Sequence, residues 1–225
     1  MVCLGIDTSG ETLSVGLSDG GRVLGERTTP GERPHSVVIL GEIEALLAEA
    51  EIARPEVFLV SVTGGPGRYT ALRVGMATAK GLAFAWKIPM IRVSTLEAMA
   101  CSLTVGSGTV VPVLDARRRL VYAAIFEGRE GKVTRVAEDR ALSYADAAAE
   151  IPDGALLVGD GVPLVEPFLR EKGVTFETRP CMIRGGVVAM LGKRAFASRG
   201  YDEILEGPTY IRTVEVQGSG VRNNP

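Results

Sequence analysis

Two apolar runs in this chain close on an aspartate and are followed by the same kind of chain, which limits the fold more than any other feature. In the first half Val2 to Asp7 is such a run. The turn Thr8-Ser9-Gly10-Glu11, an alternating strand Thr12 to Ser18, the hairpin turn Asp19-Gly20-Gly21 and a third strand Arg22 to Thr29 follow it. In the second half Val110 to Asp115 leads into Ala116-Arg117-Arg118-Arg119, a strand Leu120 to Phe126, a hairpin at Gly128 to Gly131 and a strand Lys132 to Val136. Superposing Asp7 on Asp115 aligns the two meanders without a gap as far as the hairpins. An internal repeat of this size means two lobes built alike, and the small, polar residues Val105 to Gly108 mark the boundary. The expected organisation is one α/β lobe over 1–104, a second over 105–216, and a flexible tail over 217–225.

Between the meanders lies a strand, loop and helix. Val57 to Val62 is a short β-branched run, Gly64-Gly65-Pro66-Gly67 rules out regular structure, and Thr70 can cap the helix that follows. The spacing is neither GxxxxGK[ST] nor GxGxxG, so the loop is either a cradle for a phosphate or a tight strand-to-helix corner. On the helix, Leu72, Met76, Ala79 and Ala83 share one face, Val74, Ala77, Gly81 and Ala85 the other, with Arg73 and Lys80 as the polar edge. A helix this apolar is covered on both sides, inside the domain or by a partner chain.

The helix before it, capped by Ser36 and running to about Glu51, repeats the pattern. Its main face is Ile39, Leu40, Ile43, Leu46, Leu47 and Ala50, and a second short apolar strip holds Val37, Val38, Gly41, Ala45 and Ala48. A strand Ile88 to Val93 and a short helix capped by Ser94 or Thr95 complete the half. The second half continues with a helix near Ser143 to Glu150, strand Ala155 to Val158, the turn Gly159-Asp160-Gly161 and a helix from Val162 to Glu171. Strand Val174 to Thr178, a helix Gly185 to Ser198 and an extended piece Pro208 to Arg212 follow.

With 25 Lys and Arg against 27 Asp and Glu the net charge is −2, which does not suggest a broad nucleic-acid-binding surface. RNA contact would be local or supplied by a partner. The three cysteines, Cys3, Cys101 and Cys181, are far apart and form no CxxC, so they read as apolar filler rather than disulfide or metal ligands. His35, the single histidine, excludes a His-based metal centre and reads as a local hydrogen-bonding residue. No apolar run has the length of a bilayer span and no leader pattern opens the chain, so a cytoplasmic protein without membrane contact is expected.

Two βββαβα halves with an aspartate at each first corner resemble the actin, Hsp70 and sugar-kinase fold. The resemblance implies a nucleotide cleft between lobes, with phosphates and metal at the two corners and adenosine at a late strand-turn-helix, here Gly159-Asp160-Gly161. Asp160 between the glycines departs from that pattern. A closer resemblance, over nearly the whole chain, is to the TsaB (YeaZ) family of bacterial tRNA threonylcarbamoyladenosine synthesis. It is carried by Leu4-Gly5-Ile6-Asp7-Thr8-Ser9, by Gly64-Gly65-Pro66-Gly67 through Thr70 to Ala83, and by Ile88-Pro89-Met90-Ile91 to Leu96. Leu114-Asp115-Ala116-Arg117 with Val121-Tyr122 and Pro208 to Arg212 extend it. Where the family usually has Ser-Phe-Thr-Gly, this chain has Arg68-Tyr69-Thr70-Ala71.

The resemblance implies a noncatalytic subunit. Its catalytic paralogue TsaD carries an HxxxH metal site and transfers a threonylcarbamoyl group to the adenosine beside the anticodon; no HxxxH occurs here. Asp7, Thr8, Gly64, Gly65, Gly67, Thr70, Asp115, Gly159 and Gly161 would then be degenerate nucleotide and phosphate loops. No cofactor would be bound by this chain alone, ATP and metal belonging to the partner complex. Pairing would use the first two helices, through Val37, Val38, Gly41, Ala45 and Ala48 of one and Val74, Ala77 and Gly81 of the other. The partners implied are TsaD, the small ATPase TsaE, tRNA through the complex, and a second copy of the chain when TsaD is absent. The alternative is an independent nucleotide-dependent enzyme of the same fold, an ATPase or kinase using Asp7, Asp115 and the glycine loop. A peptidase would need a nucleophile or metal constellation that the sequence lacks. Arg117-Arg118-Arg119 reads as a solvated turn or as a local tRNA contact.

Overall fold

The structure, a computed structural model, describes residues 1–103, 106–203, 207–209 and 211. The first meander is β1 (Val2–Asp7), β2 (Leu13–Asp19) and β3 (Arg22–Thr29), followed by helix α1 (His35–Glu49), β4 (Val57–Thr63), helix α2 (Tyr69–Trp86), β5 (Met90–Val93) and the short helix α3 (Thr95–Cys101). The second is β6 (Ser107–Arg117), β7 (Leu120–Arg129) and β8 (Lys132–Ser143), then α4 (Tyr144–Glu150), β9 (Ala155–Val158), α5 (Val162–Glu171), β10 (Phe176–Thr178) and α6 (Gly185–Arg199). The five-stranded sheets have the orders β3-β2-β1-β4-β5 and β8-β7-β6-β9-β10, the same topology twice. This is the duplicated fold of the actin, Hsp70 and sugar-kinase group.

The gapless superposition of the two meanders does not hold at the first corner. Asp7 pairs with Ser14 in the first lobe but Asp115 pairs with Val121 in the second, so the second corner is one residue shorter. Its turn is a tight one, with Arg118 and Arg119 both at positive φ. The tail 217–225 lies outside the described residues, as do Tyr210 and Arg212 of the late extended piece.

Packing does not follow chain order. One face of the first sheet carries α1 and α2, sealed by Leu4, Ile6, Val15, Ile39, Ile43, Leu46 and Met76. Its other face is covered by α6 from the second half, while α3 from the first half packs on β6, β7 and β8. The lobes thus exchange one helix each. The approach of α6 is so close that only glycine fits. A Cβ on Gly5 would lie 2.1 Å from Gly185 O, and one on Gly16 would lie 2.0 Å from Gly186 N. The first turn of α6 is fastened to the first sheet, Gly185 N donating to Ser14 Oγ (2.8 Å) and Gly186 N to Glu26 Oε2 (3.0 Å). Those contacts satisfy helix-end amides that would otherwise lack acceptors.

Several helix boundaries differ from those read in the sequence. Ser36 does not cap α1: the helix begins at His35 after Pro34, whose O accepts from Val37 N at 2.9 Å. Nor does Thr70 cap α2. Arg68 is the extended boundary residue, fixed because its N donates to Ser9 O at 2.9 Å, and Thr70 falls in the first turn with its side chain uncommitted to a cap. Ser94 does cap α3, accepting from Glu97 N. Helix α2 ends where Lys87 turns left-handed, φ 55°, before Pro89.

Candidate functional site

The cleft between the lobes is a cavity of about 750 Å³, bordered by the two aspartate corners, the start of α2, the Gly159–Asp160 turn and the segment Cys181–Ile183. Of the residues expected in nucleotide and phosphate loops, Asp7, Gly67, Asp115 and Gly159 line it, whereas Thr8, Gly64, Gly65, Thr70 and Gly161 do not.

At the first corner Asp7 is buried. Its Oδ1 accepts from Ser9 N (3.1 Å), Ser9 Oγ (2.7 Å) and Thr63 Oγ1 (2.7 Å). Thr8 Oγ1 donates to Ala71 O at the start of α2 (2.7 Å), and Gly75 makes room for it, since a Cβ there would sit 2.3 Å from Thr8 Oγ1. The glycine loop is likewise occupied by its own chain: Gly64 O accepts from Thr209 N (2.7 Å) and Gly65 O from Thr95 N (2.9 Å). At Gly67, Ser9 O stands 2.8 Å from where a Cβ would be. Arg68 closes the rim with Glu11 at 2.7 Å.

The second corner is closed by a carboxylate. Asp115 N donates to Asp160 Oδ1 (3.0 Å), while Asp115 Oδ1 accepts from Arg117 N (2.7 Å). Gly159, at φ 112°, and Gly161 are glycines because the turn presses on β6. Their Cβ atoms would lie 2.2 Å from Val113 O and 2.8 Å from Leu114 C. The Asp160 that spoils the expected adenosine turn therefore places its own negative charge on an amide that an anion would need.

Burial pushes the Asp7 carboxyl above the ordinary aspartate range, and the bonds from Ser9 and Thr63 offset that only in part. A carboxyl whose pKa is raised on folding binds its proton more tightly in the folded chain. Stability therefore falls as pH rises from the unfolded aspartate value through the folded one. Asp7→Asn keeps an acceptor for Ser9 and Thr63 and is expected to flatten this slope in urea midpoints taken between about pH 4 and pH 7. An unaltered slope would place the titration in another group.

Asp202 behaves oppositely. Its burial disfavours the charge, but bonds from Arg199 and from Arg92 N and Nε outweigh that and hold it below the ordinary range. This Arg92–Asp202–Arg199 latch secures the chain beyond α6 against β5, and no spacing in the sequence signalled it. Burial raises all three thiols, Cys3 to about 12 and Cys101 and Cys181 to about 11, as suits apolar filler. His35 Nε2 lies 2.9 Å from Glu11 O, 24 residues earlier, so its contact ties the start of α1 to the β1–β2 turn and is not the local one expected. Among the described residues no three His, Cys, Asp or Glu side chains gather as a metal site, and no helix is long and apolar enough to cross a membrane.

Helices α1 and α2 lie side by side next to the cleft and leave an apolar face uncovered. Val37 is 71% exposed and Phe84 79%, with Leu40, Gly41, Ala48, Ala77 and Gly81 also exposed and Ala45 and Val74 half-buried. A Cβ on Gly41 or Gly81 would meet nothing within 4 Å. Two residues are corrected. Val38 points into the core and does not belong to the strip, and Leu40, expected in the core, points out. In this orientation α1 buries Val38 beside Ile39, Ile43 and Leu46, while Glu42, at 2.7 Å, and Glu49 pair with Arg27 on β3. Phe84, the most exposed aromatic of this face, was missed because its neighbours Ala83 and Ala85 gave no sign of which way the last turn faces.

The family model described as "TsaD: tRNA N6-adenosine threonylcarbamoyltransferase" matches residues 23–176. The chain is similar to the tRNA threonylcarbamoyladenosine biosynthesis protein TsaB of Bacillus subtilis, 29% identical over 99% of both chains. It is also similar to the protein of the same name from Escherichia coli, 32% identical over 63% of this chain and 62% of that one. Among solved structures, YeaZ from Pseudomonas aeruginosa superposes with a TM-score of 0.81 and 25% identity, covering 93% of this chain and 99% of that one. A repeat kept as two like lobes, glycine loops folded against their own chain, and these matches along its length lead to one assignment: the chain belongs to the tRNA N6-adenosine threonylcarbamoyltransferase family, in its TsaB (YeaZ) branch.

Proposed function

We propose that this chain is a noncatalytic subunit of the assembly that places a threonylcarbamoyl group on the adenosine next to the anticodon of tRNA, working in the cytoplasm. The observation that carries the reading is the closure of its nucleotide loops by the chain's own groups. Ser9 O takes the amide of Arg68, Thr209 lies on the Gly64–Gly65 loop, and the Asp160 carboxylate takes the amide of Asp115. A phosphate arriving inside the cleft would have to displace these contacts, and the two arginines that line it, Arg68 and Arg117, are already paired with Glu11 and Asp115.

The uncovered face of α1 and α2 supplies the other half of the reading. A TsaD-type transferase docks there, bringing the metal and the ATP-dependent chemistry, and the small ATPase TsaE joins the pair. In the absence of the transferase a second copy of this chain covers the same face, and tRNA is met through the complex. Small residues at Gly41, Ala77 and Gly81 let a partner helix approach to backbone distance.

Mixing the chain with the TsaD-type transferase of the same organism tests this directly by size exclusion with light scattering. One heterodimer peak is expected, together with no heat, or only millimolar affinity, when ATP is titrated into the chain alone. Micromolar ATP binding with hydrolysis by the isolated chain would favour the independent ATPase or kinase instead.

A further inference from the structure

We propose that the β6–β7 turn is a docking site for the phosphodiester backbone of a folded RNA, with Arg117, Arg118 and Arg119 as its cations. The inference rests on the tRNA reading above and goes beyond it, because it gives this chain a direct contact with the substrate.

The backbone of the turn carries the first argument. Arg117, Arg118 and Arg119 stand at φ 63°, 52° and 64°, three successive left-handed residues. Side chains with a Cβ resist that conformation, and two-residue hairpin turns of this hand ordinarily take Asn-Gly or Gly-Gly. The β2–β3 turn uses Gly20 and Gly21, at φ 57° and 85°, and the β7–β8 turn follows a left-handed Glu130, φ 51°, with Gly131, φ 77°. Among the described residues the other left-handed non-glycines, Glu51, Lys87 and Glu130, stand singly, and three in succession occur at the corner beside the cleft.

Charge carries the second. All three arginines are exposed, the Arg117 side chain to 82%. Arg117 pairs with Asp115 at 3.1 Å, whereas Arg118 and Arg119 enter no ion pair or hydrogen bond among the described residues. The chain as a whole has a net charge of −2, so this is a local cationic point on an otherwise balanced surface. Adjacent Cα atoms lie about 3.8 Å apart, and long guanidinium arms leaving one rigid tip can reach successive phosphates of a polyanion. A single carboxylate on a partner protein would engage one arm and leave the others unused.

Arg118→Gly with Arg119→Gly is the informative variant, because glycine suits the turn and removes only the cations. The pair of this chain with its TsaD-type transferase is titrated with a tRNA transcript between about 50 and 200 mM KCl. The glycine variant is expected to keep its melting temperature, to lose about tenfold or more in affinity near 0.1 M salt, and to lower the slope of log K against log salt by about 2. Arg118→Lys with Arg119→Lys retains most of that slope. Wild-type slope and affinity in the glycine variant overturn the proposal. So does loss of the transferase from the pair with RNA binding unaltered, which would assign the arginines to a protein contact. Transfer activity of the wild-type pair is measured alongside. If the functional reading fails, no tRNA is modified; if only this proposal fails, modification proceeds and the salt slope stays put.

Discussion

Gly16→Ala is expected to destabilise the chain by about 3–5 kcal/mol, the sum of overpacking and two opened hydrogen bonds. The new Cβ would lie 2.0 Å from Gly186 N and 2.3 Å from Gly185 C, and both are backbone atoms that no rotamer change can move. Relief requires α6 to lift off β1 and β2, which breaks the bonds from Gly185 N to Ser14 and from Gly186 N to Glu26. For a chain of this size the loss is on the order of 10 °C in melting temperature, measurable by circular dichroism. The contrasting substitution is Gly41→Ala. Nothing lies within 4 Å of that position, and alanine is the better helix former by about 0.5–1 kcal/mol, so its melting temperature rises. If Gly16→Ala melted with the wild type, the seating of α6 on the first sheet would be wrong.

Ala77→Arg has its effect outside the folded chain. The residue is exposed on α2, so the substitution leaves melting nearly unchanged, as surface changes usually do. In the assembly it would push a long cation into a close helix contact without an acid to receive it. Burying such an unpaired charge costs about 2–5 kcal/mol, which is roughly 30-fold to several thousand-fold in affinity. Light scattering should therefore find the variant folded, monomeric, and unable to hold the transferase. A variant that still dimerises and still binds its partner would move the docking surface away from α1 and α2. Phe84→Ala, made beside it, removes the most exposed apolar side chain of the same face.

Much of this architecture can be read from residues close together in the chain. The repeated Asp7 and Asp115 corners, the glycine loop and the two-faced α2 depend on local periodicity and turn chemistry. What could not be read depends on contacts between distant segments. Nothing near Gly5 or Gly16 says that they lie under Gly185 and Gly186, so the exchange of α3 and α6 between lobes stays hidden until the sheets are assembled. The orientation of α1, which buries Val38 and exposes Leu40, sets Glu42 and Glu49 beside Arg27 on a different element. A helical wheel weighs apolar residues and cannot register contacts of that kind. Asp160 was visible as a departure from the glycine pattern, but its role in capping the amide of Asp115 required the two turns to be side by side. Ser36 and Thr70 have the right chemistry for caps; Pro34 and the Ser9–Arg68 bond fix the helix starts elsewhere.

On the proposed function, the two lobes keep a duplicated fold whose closed corners leave the chemistry to a partner docked on α1 and α2. The most direct test is a transfer assay with threonine, bicarbonate, ATP, the enzyme that makes the adenylate, and unmodified tRNA. This chain, the TsaD-type transferase and the two combined are each assayed with TsaE and divalent metal supplied. Modified adenosine is expected from the combination and none from this chain by itself. Sustained modification by this chain with the transferase left out would contradict the account.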